Sequence, residues 1–386
     1  MDALRELALL LRPAGGGIHT VSTGGEERRR LQQRIYGAGT DADVTQRWRE
    51  VLAALPGARV ALLAVPSDAG AGLVRGAAFG PGALRSALVE RVPDFGVRAR
   101  AAGVIDLGDV FVVPQLLEDE MLSESQKVAT RAALFPELGP EERAGMPVAP
   151  LSIARRVVRL CLALNPELKF MLLGGDHSVA WPLVAELAAR RPRPFAIVHP
   201  DAHTDLLAER LGVTHCFATW AYHANDAIGR AGRLVQVGIR ASGHDRAWWE
   251  SRLGVRQFWA SDLAARGEAG GLDDIFAHLR ALRSAGVEDV YLSNDIDGTD
   301  AALAPATGAP EVGGLSEGFV RALIGRLGRE MSVIGADLVE VAPSIGDRGG
   351  AKRTVEIGVG YVLDSLTALT RSAVFETGPG RGGSNV

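Results

Sequence analysis

Cysteine is nearly absent from this 386-residue chain. Cys161 and Cys216 lie in the settings LCLAL and THCFAT, so neither a disulfide framework nor a paired-thiolate zinc site can be built, and a reducing compartment suits the chain. Aromatic residues are also scarce, at 5%, which leaves aliphatic side chains to fill the interior. No run approaches the roughly 18 uncharged apolar residues of a spanning helix. The opening MDALRELALLLRP places Asp2, Arg5 and Glu6 ahead of an apolar run too short for a signal-peptide core. A cytoplasmic protein without a membrane partner is expected. There is no basic excess either: the formal charge is -4, which argues against nucleic acid, because phosphate binding needs a basic face. What is present is 47% hydrophobic and 23% charged residues with 47 glycines, the composition of a globular protein long enough for one large domain or two ordinary ones.

Residues 1–55 read as an N-terminal arm. It holds a short helix over Leu4 to Leu11, a break at Gly15 to Gly17, and the charged segment EERRRLQQR from Glu26 to Arg34, which suits a solvated helix face. Residues 56–375 read as one domain. Aliphatic runs at Arg59 to Ser67, Phe170 to Leu173, Phe195 to Val198, Leu234 to Ile239, Val290 to Leu292 and Val333 to Ile334 predict strands covered on both faces. Helical patterns lie between them, including Ser152 to Leu164 with Ser152 as N-cap, and Trp181 to Arg190. Alternating strand and helix predicts a parallel sheet. The acidic, proline-bearing stretch from Asp109 to Pro150 reads as an insertion on one edge, and residues 376–386, ETGPGRGGSNV, as a flexible tail.

Five of the eight histidines, His177, His199, His203, His215 and His223, fall between residues 177 and 223. Three expected strands run straight into polar clusters: FMLLGGDHS into Asp176 and His177, FAIVHPDAHTD into Asp201, His203 and Asp205, and VYLSNDIDGTD into Asp295, Asp297 and Asp300. In a parallel sheet the loops at the carboxyl ends of the strands share one edge, so the clusters can converge. Carboxylate and imidazole together suit Mn²⁺ or Ni²⁺ better than a thiolate-seeking metal. The alternation Asp201-x-His203-x-Asp205 and Asp295-x-Asp297 would aim ligands to one side of extended chain. Four aspartates packed without a cation would repel one another. Two divalent ions about 3.5–4 Å apart would offset that repulsion and activate a water. His19, His223, His244 and His278 carry no such context.

With these motifs the chain resembles the ureohydrolase family, which includes arginase, agmatinase, guanidinobutyrase and guanidine hydrolase. The resemblance spans roughly Arg59 to Asp364 and rests on GGDHS (Gly174 to Ser178), DAHTD (Asp201 to Asp205) and SNDIDGTD (Ser293 to Asp300), with GAAFGPGALR (Gly76 to Arg85) upstream and ADLVEVAP (Ala336 to Pro343) downstream. It implies a three-layer α/β/α fold with a central, mostly parallel sheet of about eight strands, assembled as a homo-oligomer, a trimer or hexamer. One metal would be held by His177, Asp201, Asp205 and Asp295, and the other by Asp201, His203, Asp295 and Asp297, with Mn²⁺ the usual ion and Ni²⁺ the other. Glu340 matches the residue that grips the substrate guanidinium, and His215 the histidine that supplies a proton. The implied reaction releases urea from a small guanidinium compound.

Two departures bear on the substrate. Cys216 stands where relatives usually have glycine, which would narrow the pocket. The segment LLAERLGVT after Asp205 lacks the Asn and Thr/Ser set with which arginases hold the α-carboxylate of arginine. Agmatine-like compounds or guanidine itself are therefore expected ahead of arginine. Against an enzyme stands a catalytically idle subunit that stabilises an active paralogue, but all six ligand positions, Glu340 and His215 are present.

Overall fold

The computed structural model describes residues 1–18, 25–372 and 375; the expected tail at 376–386, and His19, lie outside them. Nine strands form one sheet: β1 (Leu11–Arg12), β2 (Val60–Val65), β3 (Val104–Val110), β4 (Lys169–Gly174), β5 (Phe195–Pro200), β6 (Leu234–Ile239), β7 (Arg256–Trp259), β8 (Asp289–Asp295) and β9 (Ser332–Val339). Their order is β1-β3-β2-β4-β9-β8-β5-β6-β7. Only β1 runs antiparallel to its neighbour. Helices cover both faces. One layer contains Gly80–Arg91, Glu317–Glu330 and Arg348–Thr370, and the other Ala3–Leu10, Pro150–Leu164, Ala180–Arg190 and Trp220–Ala227. This is the expected α/β/α architecture with one strand more than anticipated.

The physical basis is plain in the strands. VALLAV of β2 and FMLLG of β4 are buried along their length, because a central parallel strand is covered on both faces. β3 escaped the sequence reading since VIDLGDV carries Asp106 and Asp109 inside a buried run; the stretch expected to begin the insertion at Asp109 therefore still belongs to the sheet. β1, of two residues, and β7, whose four residues begin with Arg256 and Gln257, give no comparable pattern.

The helix expected to start at Ser152 begins at Pro150. Proline needs no N–H partner at the first helical position, and the Asp119 carboxylate accepts the N–H groups of Val148 and Ala149 at 3.1 and 2.8 Å. Ser152 instead accepts the Asp119 N–H at 3.0 Å, a tie between helix and insertion. Among the described residues no helix is long and apolar enough to cross a membrane.

The sheet order decides where ligands can converge. The chain builds outward from β2 to β4, then jumps to β5 and continues to β6 and β7, while β8 and β9 fill the gap. Four adjacent strands, β4, β9, β8 and β5, thus end side by side at a switch in winding, the place where open parallel sheets bind ligands.

Candidate metal centre

The turn after β4 delivers His177. Gly175 is required there because a Cβ would come 1.8 Å from the Ser67 carbonyl oxygen. Asp176 faces away from the cluster, its carboxylate accepting the N–H groups of Ser178 and Gly70 at 2.8 and 2.9 Å. The His177 ring stacks on Trp220 with centroids 4.4 Å apart, and its Nε2 lies 3.0 Å from Ser293 Oγ. The ring is thereby aimed. Its Nδ1 stands 3.4 Å from Asp201 Oδ2, 3.4 Å from Asp205 Oδ2 and 3.0 Å from Asp295 Oδ2, yet it makes no hydrogen bond.

β5 and β8 supply the carboxylates. Asp201 follows β5 directly, but the chain then leaves the extended conformation: Asp205 is left-handed, with φ of 52°. Asp297 likewise sits in a 3₁₀ turn capped by Asp295, whose Oδ1 accepts the Asp297 N–H at 2.9 Å. The expected alternation on extended strand is therefore corrected. Tight turns, held by side chain to backbone hydrogen bonds, bring these residues to one side. Gly298 lets the β8 turn press on the β5 turn, since a Cβ there would meet Asp201 N at 2.8 Å, and the Ala202 N–H donates to Asp297 Oδ1 at 3.1 Å.

All six expected ligand residues come together. Donor atoms of His177, His199, Asp201 and Asp205 lie within 4.8 Å of one another, as do those of Asp201, His203 and Asp297. Asp201 belongs to both groups, and Asp295 joins through His177. His203 Nδ1 is 3.1 Å from Asp297 Oδ2 and 3.5 Å from Asp201 Oδ1. His199 was counted in the sequence but given no role, although it continues the i, i+2 series back from Asp201. Its Nε2 sits 2.6 Å from Asp201 Oδ2 and its Nδ1 3.1 Å from Gln236 Nε2, an arrangement that orients the Asp201 carboxylate.

The electrostatics are those of crowded buried carboxylates. Burial, then the charge of Asp201, pushes the Asp205 carboxyl up to about 8. Burial and the charges of Asp297 and Asp201 push Asp295 well above the carboxylate range. Burial opposes ionisation of His203, yet contact with Asp201 and Asp297 pushes it up to about 12. Protons are being asked to do the work of cations. The fit to divalent ions rests on His177 Nδ1, a buried nitrogen ringed by three carboxylates without a hydrogen bond of its own.

Two further expected residues flank this centre. Glu340 follows β9 in a left-handed conformation, with φ of 61°, a backbone state that costs a non-glycine residue on the order of 1 kcal/mol or more. Its Oε1 accepts the His177 N–H at 3.0 Å. Burial, then the charges of Asp295 and Asp176, raises its pKa well above normal. His215 belongs to neither donor group. Its Nδ1 lies 2.7 and 2.9 Å from the Glu118 carboxylate oxygens, and its ring stacks on Trp181 with centroids 5.1 Å apart. Glu118 comes from the stretch between β3 and the helix Pro150–Leu164, 97 positions earlier, and no local sequence signal links the two. His223, also without a site role in the sequence, places Nε2 near the Ala208 and Thr214 carbonyl oxygens.

Comparison with known proteins agrees with this arrangement. The model of the arginase family matches residues 58–367. The guanidinobutyrase of Pseudomonas aeruginosa is 29% identical over 318 residues, covering 80% of this chain and 86% of that protein. The N(1)-aminopropylagmatine ureohydrolase of Thermus thermophilus is 38% identical over 172 residues, which span 45% of this chain and 54% of the relative. Among solved structures, the proclavaminate amidino hydrolase of Streptomyces clavuligerus superposes with a TM-score of 0.60 at 27% identity, covering 80% of this chain and 92% of that one.

Proposed function

Because this chain belongs to the arginase family, a family of binuclear metal enzymes that act on guanidino groups, we propose that it hydrolyses the guanidino C–N bond of a small guanidinium compound and releases urea and an amine. The observation that carries this reading is the surplus of buried carboxylate around His177 Nδ1. His177, Asp201, Asp205 and Asp295 would hold one divalent ion and Asp201, His203, Asp295 and Asp297 the other, with Mn²⁺ the first candidate and Ni²⁺ the second. When bound, such a pair supplies Lewis acidity and a water of lowered pKa.

The chain's own residues account for the rest. Glu340 spends one oxygen on the His177 N–H, so its other oxygen and its charge face a guanidinium, whose planar N–H fork matches a carboxylate. The water's oxygen ends in urea, the C–N bond breaks with its electron pair on the departing nitrogen, and that nitrogen takes a proton. His215 would deliver it: Glu118 holds Nδ1 and so orients the ring, leaving Nε2 as the donating atom. The sequence favoured agmatine-like compounds or guanidine as substrates. We include a homo-oligomeric state, trimer or hexamer, in the same reading, which sedimentation of the purified chain measures.

The test is metal analysis of protein loaded with Mn²⁺ or Ni²⁺, followed by urea release from agmatine, 4-guanidinobutyrate, guanidine and arginine. Two ions per chain and urea from at least one compound are expected; one ion or none would end the binuclear reading. Glu340→Gln keeps shape and metal content but removes the charge, and should lower kcat/KM by about 2–5 kcal/mol. Unaltered kinetics in that variant would place the guanidinium elsewhere.

A further inference from the structure

The wall beside the candidate centre carries the opposite charge from the centre itself: Arg210 and Phe217 line the cavity that holds His203 and Asp205 and a second one next to it. A cavity of about 430 Å³ lies between three segments, 69–75, 114–122 and 210–217. Its inner end touches the turn that carries His177: the Gly70 N–H donates to Asp176 Oδ2 at 2.9 Å, and a Cβ on Gly70 would meet Ser178 Oγ at 2.7 Å. Cys216, next to His215, forms part of the same wall. The charged side chains that line it are Arg75 and Arg210. Both arginines are exposed, and among the described residues neither is in an ion pair.

Both are nevertheless placed. The Arg210 guanidinium lies over the Phe217 ring, 5.1 Å from its centroid. Gly72 packs on the same ring, where a Cβ would stand 3.3 Å from Phe217 Cζ, and the Phe217 N–H donates to the Gly70 carbonyl at 3.2 Å. Phe217 thus ties the loop bearing Arg75 to the segment bearing Arg210. Arg75 is steadied by donating to the Ala69 carbonyl at 3.3 Å. The loop also passes Glu340, because a Cβ on Gly308 would lie 3.1 Å from Val74 O and 3.7 Å from Glu340 Oε2.

We propose that the substrate is a guanidino acid, whose guanidinium enters the acidic floor while its distal carboxylate is received by Arg75 and Arg210; this rests on the guanidino-hydrolase reading above. A dipolar compound of that class matches a site that is negative within and positive at its mouth, and carboxylate is the partner that a guanidinium fork pairs with best. A distal amine, as in agmatine, would approach two unpaired guanidiniums. The neighbouring cavity, which holds the candidate ligand residues His203 and Asp205 and is lined by Arg210 as well, offers an amine only Glu311 beyond the ligand carboxylate, and Glu311 already faces His203 Nε2 at 4.0 Å.

The experiment compares 4-guanidinobutyrate with agmatine, close in length and opposite in terminal charge, on the full manganese-loaded chain. Binding by calorimetry and urea release are read separately, in wild type, Arg75→Gln, Arg210→Gln, the double variant and Arg210→Lys. The expected result is a preference for the acid of tenfold or more that collapses in the double variant and is partly kept by Arg210→Lys. A preference for agmatine, equal binding, no binding of either compound, or a preference untouched by the double variant overturns the proposal. Arginine-dependent binding of the acid without urea release would leave the proposal standing and sink the hydrolase reading. Agmatine hydrolysed in preference to the acid would do the reverse.

Discussion

Two clusters of buried charge, one under β3 and one at the ends of β5 and β8, have nearly the same ingredients and opposite states. Under β3, Arg85 is fully buried and donates to Asp106 through Nε and Nη2 at 3.0 and 2.8 Å, to the Gly108 carbonyl at 3.0 Å, and to Asp109. Asp109 also accepts the Gly17 N–H at 3.1 Å. Burial opposes the Arg85 charge, yet Asp106 and Asp109 hold it above the ordinary guanidinium range. The carboxylates there have a cation from the chain itself. At the other cluster Asp201, Asp205, Asp295 and Asp297 have only imidazoles, and burial with mutual repulsion drives Asp205 and Asp295 upward. The first arrangement has its counter-ion within the fold, whereas the second, on the proposed reading, would be completed by bound cations. Charge balance therefore separates a structural cluster from a functional one where burial alone does not.

The sharpest way to break the comparison is to remove the resident cation. Arg85→Met keeps the volume and leaves two carboxylates buried beneath the sheet without a counter-ion, a change that should cost about 3–5 kcal/mol. Urea denaturation of the purified variant measures it, and the same midpoint as wild type would show that solvent reaches Asp106 and Asp109. Metal content per folded chain should stay unchanged.

Next in size comes Asp295→Asn, for which the comparison predicts a sign that depends on metal. In metal-free protein it removes one member of a repelling set and should stabilise by on the order of 1 kcal/mol. In protein loaded with Mn²⁺ the same substitution deletes a ligand and should destabilise, because the metal contributes to stability only as far as it binds. Calorimetric melting with and without chelator tests this. Destabilisation of equal size in both states would mean that the cluster is held together as it stands.

Much of this was legible in sequence because chemistry and local pattern coincided. β4, β5 and β8 are continuous apolar runs that end in GGDHS, HPDAHTD and NDIDGTD, so both the strand and its reactive end could be read in one window. What failed depends on partners remote in the chain. β3 was hidden because its Asp106 and Asp109 look like loop residues until Arg85 is seen to neutralise them. The true start of the helix at Pro150 depends on Asp119. Glu118 reaches His215 across the insertion. Arg210 stood in plain view in LLAERLGVT, but a search for short polar residues passed over a long cationic one, and only the fold sets it opposite Arg75.

The mildest prediction concerns a third cluster, one buried carboxylate among half-exposed arginines, that follows the logic of the β3 cluster nearer the protein's surface. Glu186, on the helix Ala180–Arg190, is 2% exposed. It accepts Arg155 Nε at 3.0 Å, Arg159 Nη2 at 2.8 Å and Arg190 Nε at 3.1 Å. Burial opposes its ionisation, yet the three arginines, Arg159 foremost, hold the carboxyl down to about 2. Since that lies below the value of an unfolded glutamate, about 4.3, the folded state binds fewer protons here than the unfolded one. The contribution is then whole above about pH 5 and is lost as the pH falls through 4 toward 2. The side chains of the three arginines are 46%, 43% and 40% exposed, so solvent screens the network and the effect of Glu186→Gln at pH 7 should not exceed about 1 kcal/mol. Urea midpoints of wild type and Glu186→Gln at pH 7 and about pH 2.5, in low and high salt, should differ most at pH 7 in low salt and draw together in either acid or salt. A gap that stayed constant from pH 7 to about pH 2.5 would mean that Glu186 acts through packing and not through charge, and would confine the argument from charge balance to the clusters at β3 and at the ends of β5 and β8.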